Sequence, residues 1–123
     1  MILNLTQHEA TPEQVAQGVV EPGAEAKRTI QCLLTFDDLP TTEQVVNRAI
    51  ELVAMAKQIG EPGDNRFLVG GVPFLMGPLE RAMRFGGLVP LFAFSRRETV
   101  EMRDGNKVTK TQVFRHLGFV EGM

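Results

Sequence analysis

Short apolar segments alternate with stretches of helical character along most of this chain of 123 residues. We interpret the apolar segments as β-strands; they are residues 2–5, 29–36, 67–70 and 89–95. Because strands that alternate with helices pair in parallel, the pattern predicts a single α/β domain covering residues 1–123. Its expected architecture is a three-layer, mostly parallel, Rossmann-like sheet.

Helix-start signals lie between these segments. Thr11 is a suitable N-cap with Pro12 at the first helical position, and this helix should end near Gly18. Residues 19–28 are expected to form a loop, or to include a small helical piece at 24–28. A capping-box pattern at Thr41 and Gln44 starts a longer helix, which should end at 59–60.

The third helix is expected to start near Gly77 and Pro78. A proline disturbs a helix that is already running, so Pro78 argues against a start at Pro73. Residues 86–87 are two glycines and should end this helix at about Phe85.

A β-hairpin is predicted at the end of the chain. Residues 98–103 and 107–115 flank Asp104, Gly105 and Asn106, which form a strong turn signal. The hairpin is expected either to add antiparallel strands at an edge of the sheet or to project towards a partner.

Composition excludes several classes of protein. The content of 43% hydrophobic and 23% charged residues is typical of a soluble globular domain. No apolar stretch approaches the roughly 20 residues that cross a bilayer, and the first residues lack a signal-peptide pattern. The single cysteine, Cys32, cannot form an internal disulfide, which favours the cytoplasm, and we expect it to be buried in the second strand.

The net charge of −2 is unevenly distributed. Residues 1–66 carry five Lys/Arg and ten Asp/Glu, whereas residues 67–123 carry eight and five. An acidic domain is a poor candidate for binding duplex nucleic acid, because phosphate neutralisation dominates that affinity. The basic second half could still bind a small anion or a nucleotide, or be an ordinary solvated surface.

Polar clusters follow the apolar segments. They are Thr6-Gln7-His8, Asp37-Asp38, Gly70-Gly71 and Ser95-Arg96-Arg97. Because open α/β sheets bind ligands at the carboxyl ends of their strands, this placement predicts a ligand site at one edge of the sheet.

The first and third clusters have residue types that suit an anionic ligand. Thr6, Gln7 and His8 could contact a phosphate or a base, with His8 as a general acid or base; alternatively they cap the helix that follows. Gly70 and Gly71 let backbone N–H groups approach an anion near a helix N-terminus, or they simply form a tight turn. The sequence here is neither a Walker A motif nor a dinucleotide fingerprint.

The remaining candidates are basic or acidic. Arg96 and Arg97 suit phosphate contacts, and strand alternation favours Arg97 as the ligand-facing residue. His116 is the other histidine, a candidate for proton transfer or for packing. Asp37 and Asp38 are better explained by turn and cap formation than by a metal, so we expect neither a metal nor a cofactor.

The chain resembles a small family of uncharacterised bacterial and phage proteins over nearly its whole length. The segments that carry this resemblance are residues 2–14 (ILNLTQHEATPEQ), 68–76 (LVGGVPFLM), 92–98 (FAFSRRE) and 113–120 (VFRHLGFV). Residues 1–15 are also similar to small CRISPR-associated Rossmann-like proteins, which are proposed to bind or cleave cyclic oligoadenylates. That similarity implies a nucleotide ligand.

Two hypotheses follow from the sequence. The first is a cytoplasmic domain that binds a small phosphorylated ligand or nucleotide, with metal-independent phosphodiester cleavage by His8 or His116 as the associated chemistry. The alternative is a non-enzymatic interaction module that acts through the C-terminal hairpin. Homodimerisation is compatible with both hypotheses.

Overall fold

The computed structural model describes all 123 residues as a mixed α/β domain. Its elements in chain order are β1 (Ile2–Asn4), α1 (Pro12–Ala16), β2 (Val19–Val20), α2 (Ala24–Leu34), α3 (Thr42–Ile59), β3 (Arg66–Leu68), α4 (Pro73–Phe85), β4 (Val89–Asp104) and β5 (Lys107–Glu121). None of the helices combines the length and the apolar character needed to span a bilayer.

The five strands form one sheet in the order β2-β1-β3-β4-β5. The adjacent pairs β2–β1, β1–β3 and β3–β4 are parallel, and the pair β4–β5 is antiparallel. The register places Asn4 beside Leu68 and Leu68 beside Leu91. β1 and β3 therefore both end level with Leu91. β4 continues beyond this point, past the end of β3.

The two faces of the sheet are covered very differently. On one face, α2, α3 and α4 pack in the main core, which includes the fully buried Ile30, Leu52, Leu75 and Phe67. The other face has a small cluster of Ile2, Val19, Leu68 and Leu91. Helix α1 has no buried residue, so this second face receives little helical cover.

The capping predictions for α1 and α3 are confirmed. Thr11 and Gln14 form a complete capping box at α1, with Pro12 in the first turn. Thr41 and Gln44 form the same box at α3, which ends at Ile59 as expected. These predictions from local sequence are correct because the cap side chains accept hydrogen bonds from first-turn amides, which have no acceptor within the helix.

The predicted strand at 29–36 is wrong, because residues Ala24–Leu34 form helix α2. Ile30 and Leu34 are buried one helical turn apart, and the β-branched character of this stretch concealed that spacing. Helix formation also places Cys32 on the exposed side, so the expectation of a buried cysteine is wrong. The short strand β2 lies within the stretch that was expected to be a loop.

Helix α4 begins at Pro73 and contains Pro78 in its interior, so the expected start near Gly77 is also wrong. An interior proline removes one backbone hydrogen bond and costs about 3 kcal/mol. The buried side chains of Leu75, Leu79 and Met83, spaced by four residues, pack in the main core. Their burial offsets the cost of Pro78.

The C-terminal hairpin prediction is confirmed, but its strands are much longer than expected. β4 continues from the sheet body to Asp104 without a break, and β5 returns as far as Glu121. Gly105 has a φ of 62° at the first central position of the two-residue turn, where a type II′ turn favours glycine. Phe94 pairs with Gly118 and Ser95 with His116, so Leu117 is an extra residue that forms a bulge in β5.

Candidate functional site

A cleft of about 450 Å³ lies at the carboxyl ends of the parallel strands. The loops that follow β1 and β3 form two of its sides, and β4 contributes a third. Its lining residues are Thr6, Gln7, His8, Glu9, Thr11, Gln14, Leu68, Val69, Gly70, Gly71, Phe92 and Ala93. The structure therefore brings the first and third sequence clusters together, and an added Cβ on Gly70 would lie 3.7 Å from Cγ2 of Thr6.

The side chain of Asn4, which is fully buried, holds the loop after β1 in place by hydrogen bonds. Its Nδ2 donates to the carbonyl of His8 (2.8 Å) and to Oε1 of Glu21 (2.7 Å). Its Oδ1 accepts from the backbone N–H of Thr6 (2.9 Å) and from Oγ1 of Thr6 (2.7 Å). One side chain thus folds Thr6 and His8 into the turn that forms the wall of the cleft.

Lys27 and Glu21 complete this network. Nζ of Lys27 donates to the carbonyls of Thr6 (2.9 Å) and His8 (2.8 Å) and lies 3.3 Å from Oε2 of Glu21. Glu21 also accepts from the backbone N–H of Ala10 (2.6 Å). Burial alone would raise the pKa of Glu21, but hydrogen bonds from Ala10, Asn4 and Lys27 outweigh burial and hold it below its ordinary value of 4.5.

This lowered pKa makes the stability of the loop pH-dependent. A carboxyl group with a depressed pKa in the folded state contributes stability above its unfolded pKa, and loses it as the pH falls through the folded value. We expect Glu21→Gln to lower the free energy of unfolding by about 1 kcal/mol at pH 7, and by progressively less below pH 4.5. Urea unfolding at pH 7, 5 and 3 measures this difference; Glu51→Gln on the exposed surface of α3 is the matched control. A difference that stayed constant across this range would contradict the assignment.

The segment between β3 and α4 offers free amide donors. The N–H of Val69 bonds to the carbonyl of Leu91, whereas those of Gly70 and Gly71 have no protein acceptor. Gly71 has a φ of 152°, which side-chain-bearing residues rarely adopt. The segment leads directly into α4, whose N-terminus has no side-chain cap. These donors and the helix dipole together suit an anion.

The polar side chains at the cleft differ in whether they already have hydrogen-bond partners within the protein. Nε2 of Gln7 donates to Oγ1 of Thr35 (3.0 Å), and the Gln7 carbonyl accepts from Gln31, so this residue ties the loop to α2. The hydroxyl of Thr6 is directed to Asn4. The imidazole of His8 is exposed and makes no hydrogen bond within the protein. The carboxylate of Glu9 is likewise exposed and without a partner in the protein, so His8 and Glu9 are the lining side chains available for proton transfer.

Arg96 and Arg97 do not line the cleft but lie on the extended hairpin. Arg96 donates to Glu98 (2.9 Å), which also pairs with Arg115 (3.0 Å). The hydrogen bond from Arg96, with the charges of both arginines, lowers the pKa of Glu98 against the effect of desolvation. The guanidinium of Arg97 stacks over Phe114, with 5.4 Å between Cζ and the ring centroid.

His116 also lies away from the cleft, where the hairpin joins the body. Its Nε2 is 2.9 Å from Oε1 of Gln17, and its backbone N–H donates to Glu13 (3.1 Å). Its ring packs against Phe119 at 4.9 Å. These contacts attach β5 to α1 and give His116 a structural role.

Asp37 and Asp38 follow a helix rather than a strand, so they lie outside the carboxyl edge of the sheet. They occupy the connection between α2 and α3. Arg48 lies beside this connection, donating to the carbonyls of Cys32, Leu33 and Thr35 at the end of α2. No group of three or more His, Cys, Asp or Glu side chains is arranged to hold a metal ion.

Seven lining residues were not singled out from the sequence: Glu9, Thr11, Gln14, Leu68, Val69, Phe92 and Ala93. Thr11 was identified only as an N-cap and Gln14 only as suited to the first turn of α1. Leu68 and Val69 were identified only as part of a strand, as were Phe92 and Ala93. The long-range register of β4 against β3 brings the latter two to the cleft, and no local signal encodes that register. The lining contains one carboxylate, Glu9, and no lysine or arginine.

Comparisons with known proteins identify a family for this chain. No curated protein and no solved structure shows significant similarity to this chain. A protein-family model matches residues 1–120. Because this match covers almost the whole chain, the protein belongs to the family described as the uncharacterized protein MJ1673 family.

Proposed function

We propose that the protein binds a small phosphorylated ligand, of the nucleotide class, in the cleft between the loops after β1 and β3. The observation that carries this proposal is the topology. From β1 the chain passes to β2 on one side, and the later strands β3, β4 and β5 all lie on the other side. The cleft therefore lies at the position where the strand order reverses, which is where open α/β sheets bind their ligands.

Each side of the cleft has a role in this proposal. The free amides of Gly70 and Gly71 and the N-terminus of α4 would bind the phosphate. Thr6, Gln7 and His8 would contact the remainder of the ligand. The parallel strands with helices between them, and α1 beside the second face, support a Rossmann-like description of the domain. A nucleotide is also the ligand that the resemblance of residues 1–15 to small CRISPR-associated Rossmann-like proteins would imply.

We extend the proposal to a metal-independent phosphodiester cleavage in which His8 transfers the proton. The exposed imidazole would accept the proton of the attacking hydroxyl or water as the new phosphorus–oxygen bond forms. The bond to the leaving oxygen then breaks, and that oxygen takes a proton from solvent. The Gly70 and Gly71 amides would stabilise the charge that develops on the phosphoryl oxygens.

A matched pair of glycine substitutions tests the binding. Gly70→Asp places a carboxylate beside the proposed anion site, and we expect the nucleotide affinity to fall by at least roughly tenfold because like charges repel. Gly23→Asp adds the same charge at the N-cap of α2, where nothing lies within 4 Å, and should leave the affinity unchanged. Isothermal titration calorimetry against a panel of nucleotides and inorganic phosphate measures both. Equal affinities for the two variants, or no binding of any panel member by the native protein, would refute the proposal.

The second candidate is an interaction module that acts through the hairpin. One observation favours it: residues 95–115 extend beyond the sheet body and are exposed, with only Glu98 partly buried. In this candidate the glycines and arginines serve folding and solubility. The two candidates are compatible, because the cleft and the extended hairpin are different parts of the molecule.

A further inference from the structure

The extended hairpin formed by residues 95–115 is here called the arm. Its two strands pair with each other, and no further strand of the chain pairs with them. Each of its strands runs for about ten residues, or roughly 33 Å, at the rise of an extended chain. A two-stranded hairpin on its own is marginally stable in water. Nevertheless Met102 and Phe114 are 63% and 67% exposed. The arm therefore has a surface that a further strand would stabilise.

One edge of the arm is a regular, unpaired β-strand edge. Val89 donates its N–H to Asn65 and the carbonyl of Leu91 accepts from Val69, so odd-numbered residues of β4 present their backbone groups on the β3 side. β3 ends at Leu68, opposite Leu91, and no strand lies beside residues 95–103 on that side. The bulge at Leu117 is in β5, and no proline follows Pro90. The edge therefore contains neither a bulge nor a proline, two of the interruptions that prevent strand addition, while six of residues 95–104 are charged.

Charge indicates what occupies this edge. The arm carries six Lys/Arg and three Asp/Glu, whereas the rest of the chain carries seven and twelve. The β4 strand of the arm, residues 95–104, is itself neutral, with three Lys/Arg and three Asp/Glu, and Arg97 and Glu101 lie on either side of Thr99. In an antiparallel pair this edge is therefore complementary to a second copy of itself. The acidic body makes a nucleic acid partner unfavourable.

We propose that two copies of the chain associate through their arms, with β4 paired antiparallel to β4 of the partner around a two-fold axis at Thr99. In this register Arg97 lies opposite the partner's Glu101, and by symmetry the pair occurs twice. Val100 lies opposite the partner's Glu98, and Met102 opposite the partner's Arg96. The result is one four-stranded sheet with β5 strands outside.

Neighbouring registers are less favourable because they oppose like charges. A two-fold axis at Arg97, Glu98 or Glu101 would place that residue against its own copy. An axis at Val100 would place Arg97 against Arg103. Like charges directly opposite one another destabilise a β-ladder, so the register centred on Thr99 is selected.

This register also completes the cleft, a consequence that rests on the proposed function. Continuing the pairing places Ser95 opposite the partner's Arg103 and Ala93 beside the partner's Gly105. Ala93 lines the cleft. The tip of the partner's arm would then bring Arg103 and Lys107 to a site whose own lining contains no lysine or arginine.

Cross-linking tests the register directly. Residues opposed in a hydrogen-bonded antiparallel pair have Cα atoms about 5.5 Å apart, which a disulfide can bridge. In a Cys32→Ser background, Thr99→Cys should form a covalent dimer under mild oxidation, seen by non-reducing electrophoresis. Thr109→Cys, which lies on the outer strand β5, is the control and should remain monomeric on the gel. Failure of Thr99→Cys to cross-link, or equal cross-linking of Thr109→Cys, would overturn the proposal.

Charge exchange tests the same contact without cysteine. Arg97→Glu and Glu101→Arg should each weaken dimerisation by at least roughly tenfold, because each creates two like-charge pairs. An equimolar mixture of the two variants restores both opposite-charge pairs and should dimerise as the native protein does. Analytical ultracentrifugation measures the dissociation constants, and circular dichroism checks folding. A monomeric native protein at high micromolar concentration, or no recovery on mixing, would overturn the proposal.

The dimer and the contribution of its arm to the cleft are distinguished by a further pair of measurements. Arg103→Ala combined with Lys107→Ala should leave the Thr99→Cys cross-link intact and lower the affinity for a nucleoside triphosphate by at least roughly tenfold. If the native protein binds no nucleotide and yet cross-links through Thr99→Cys, the proposed function fails and the dimer stands. If the native protein binds the nucleotide and the double variant binds it with the same affinity, the arm tip does not complete the cleft.

Discussion

Replacing Asn4 with Leu is expected to destabilise the protein by roughly 3–5 kcal/mol, the largest effect of a single polar side chain in this chain. Asn4 is fully buried and bonds to Thr6, His8 and Glu21. Leucine has a similar volume but no polar atom, so the Thr6 N–H loses its acceptor and Glu21 loses a donor, while the His8 carbonyl keeps only its bonds from Lys27 and Thr6. The loop that forms one wall of the cleft should lose its fixed shape.

Urea denaturation with the free energy extrapolated to water measures this loss. Asn47→Leu is the matched control, because Asn47 is exposed on α3 and its substitution should change stability by less than about 0.5 kcal/mol. Nucleotide binding by Asn4→Leu, measured below its unfolding transition, should weaken as well. A stable Asn4→Leu protein would show that the network around Asn4 does not hold the loop.

Replacing Phe67 with Ala should cost roughly 3–5 kcal/mol by a different mechanism. Phe67 is the largest fully buried side chain and lies on β3 at the centre of the sheet, against the helices of the main core. Its ring also lies 3.3 Å from the position that a Cβ on Gly60 would occupy, so space around it is tight. Truncation removes its buried contacts and leaves a cavity that rigid neighbouring elements cannot fill.

Thermal and urea unfolding measure the effect, with Phe85→Ala as the control of identical chemistry. Phe85 is 96% exposed at the end of α4, so its truncation should be nearly neutral. Comparable losses for the two variants would contradict the placement of β3 at the centre of the core.

Sequence patterns predicted the features that depend on a few neighbouring residues. The N-cap at Thr11 followed by Pro12 and the capping-box pattern at Thr41 predicted two helix starts correctly, and the turn at residues 104–106 predicted the hairpin. Propensity misled at residues 29–36, where β-branched residues suggested a strand but packing of Ile30 and Leu34 selected a helix. It misled again at Pro78, because burial of the α4 side chains outweighs the missing hydrogen bond.

The residues of the candidate site were likewise predicted correctly in part. The clusters Thr6–His8 and Gly70–Gly71 were identified because the polar residues directly follow the strands that carry them, and the structure places both at the cleft. Arg96 and Arg97 also follow an apolar segment, but their strand does not end there. It continues as part of the arm and carries them away from the cleft. Where a strand ends depends on its pairing partner, which a local pattern does not encode.

By itself, therefore, the sequence determined the mixed α/β character, two capped helices, the hairpin turn and the polar residues that follow β1 and β3. The tertiary structure alone decided the strand order, which places those residues where the topology reverses, and the length of β4, which separates the arginines from them. Caps and turns are set by hydrogen bonds between residues a few positions apart. Strand order and strand length are set by contacts between residues up to about a hundred positions apart, such as that of Glu13 with His116.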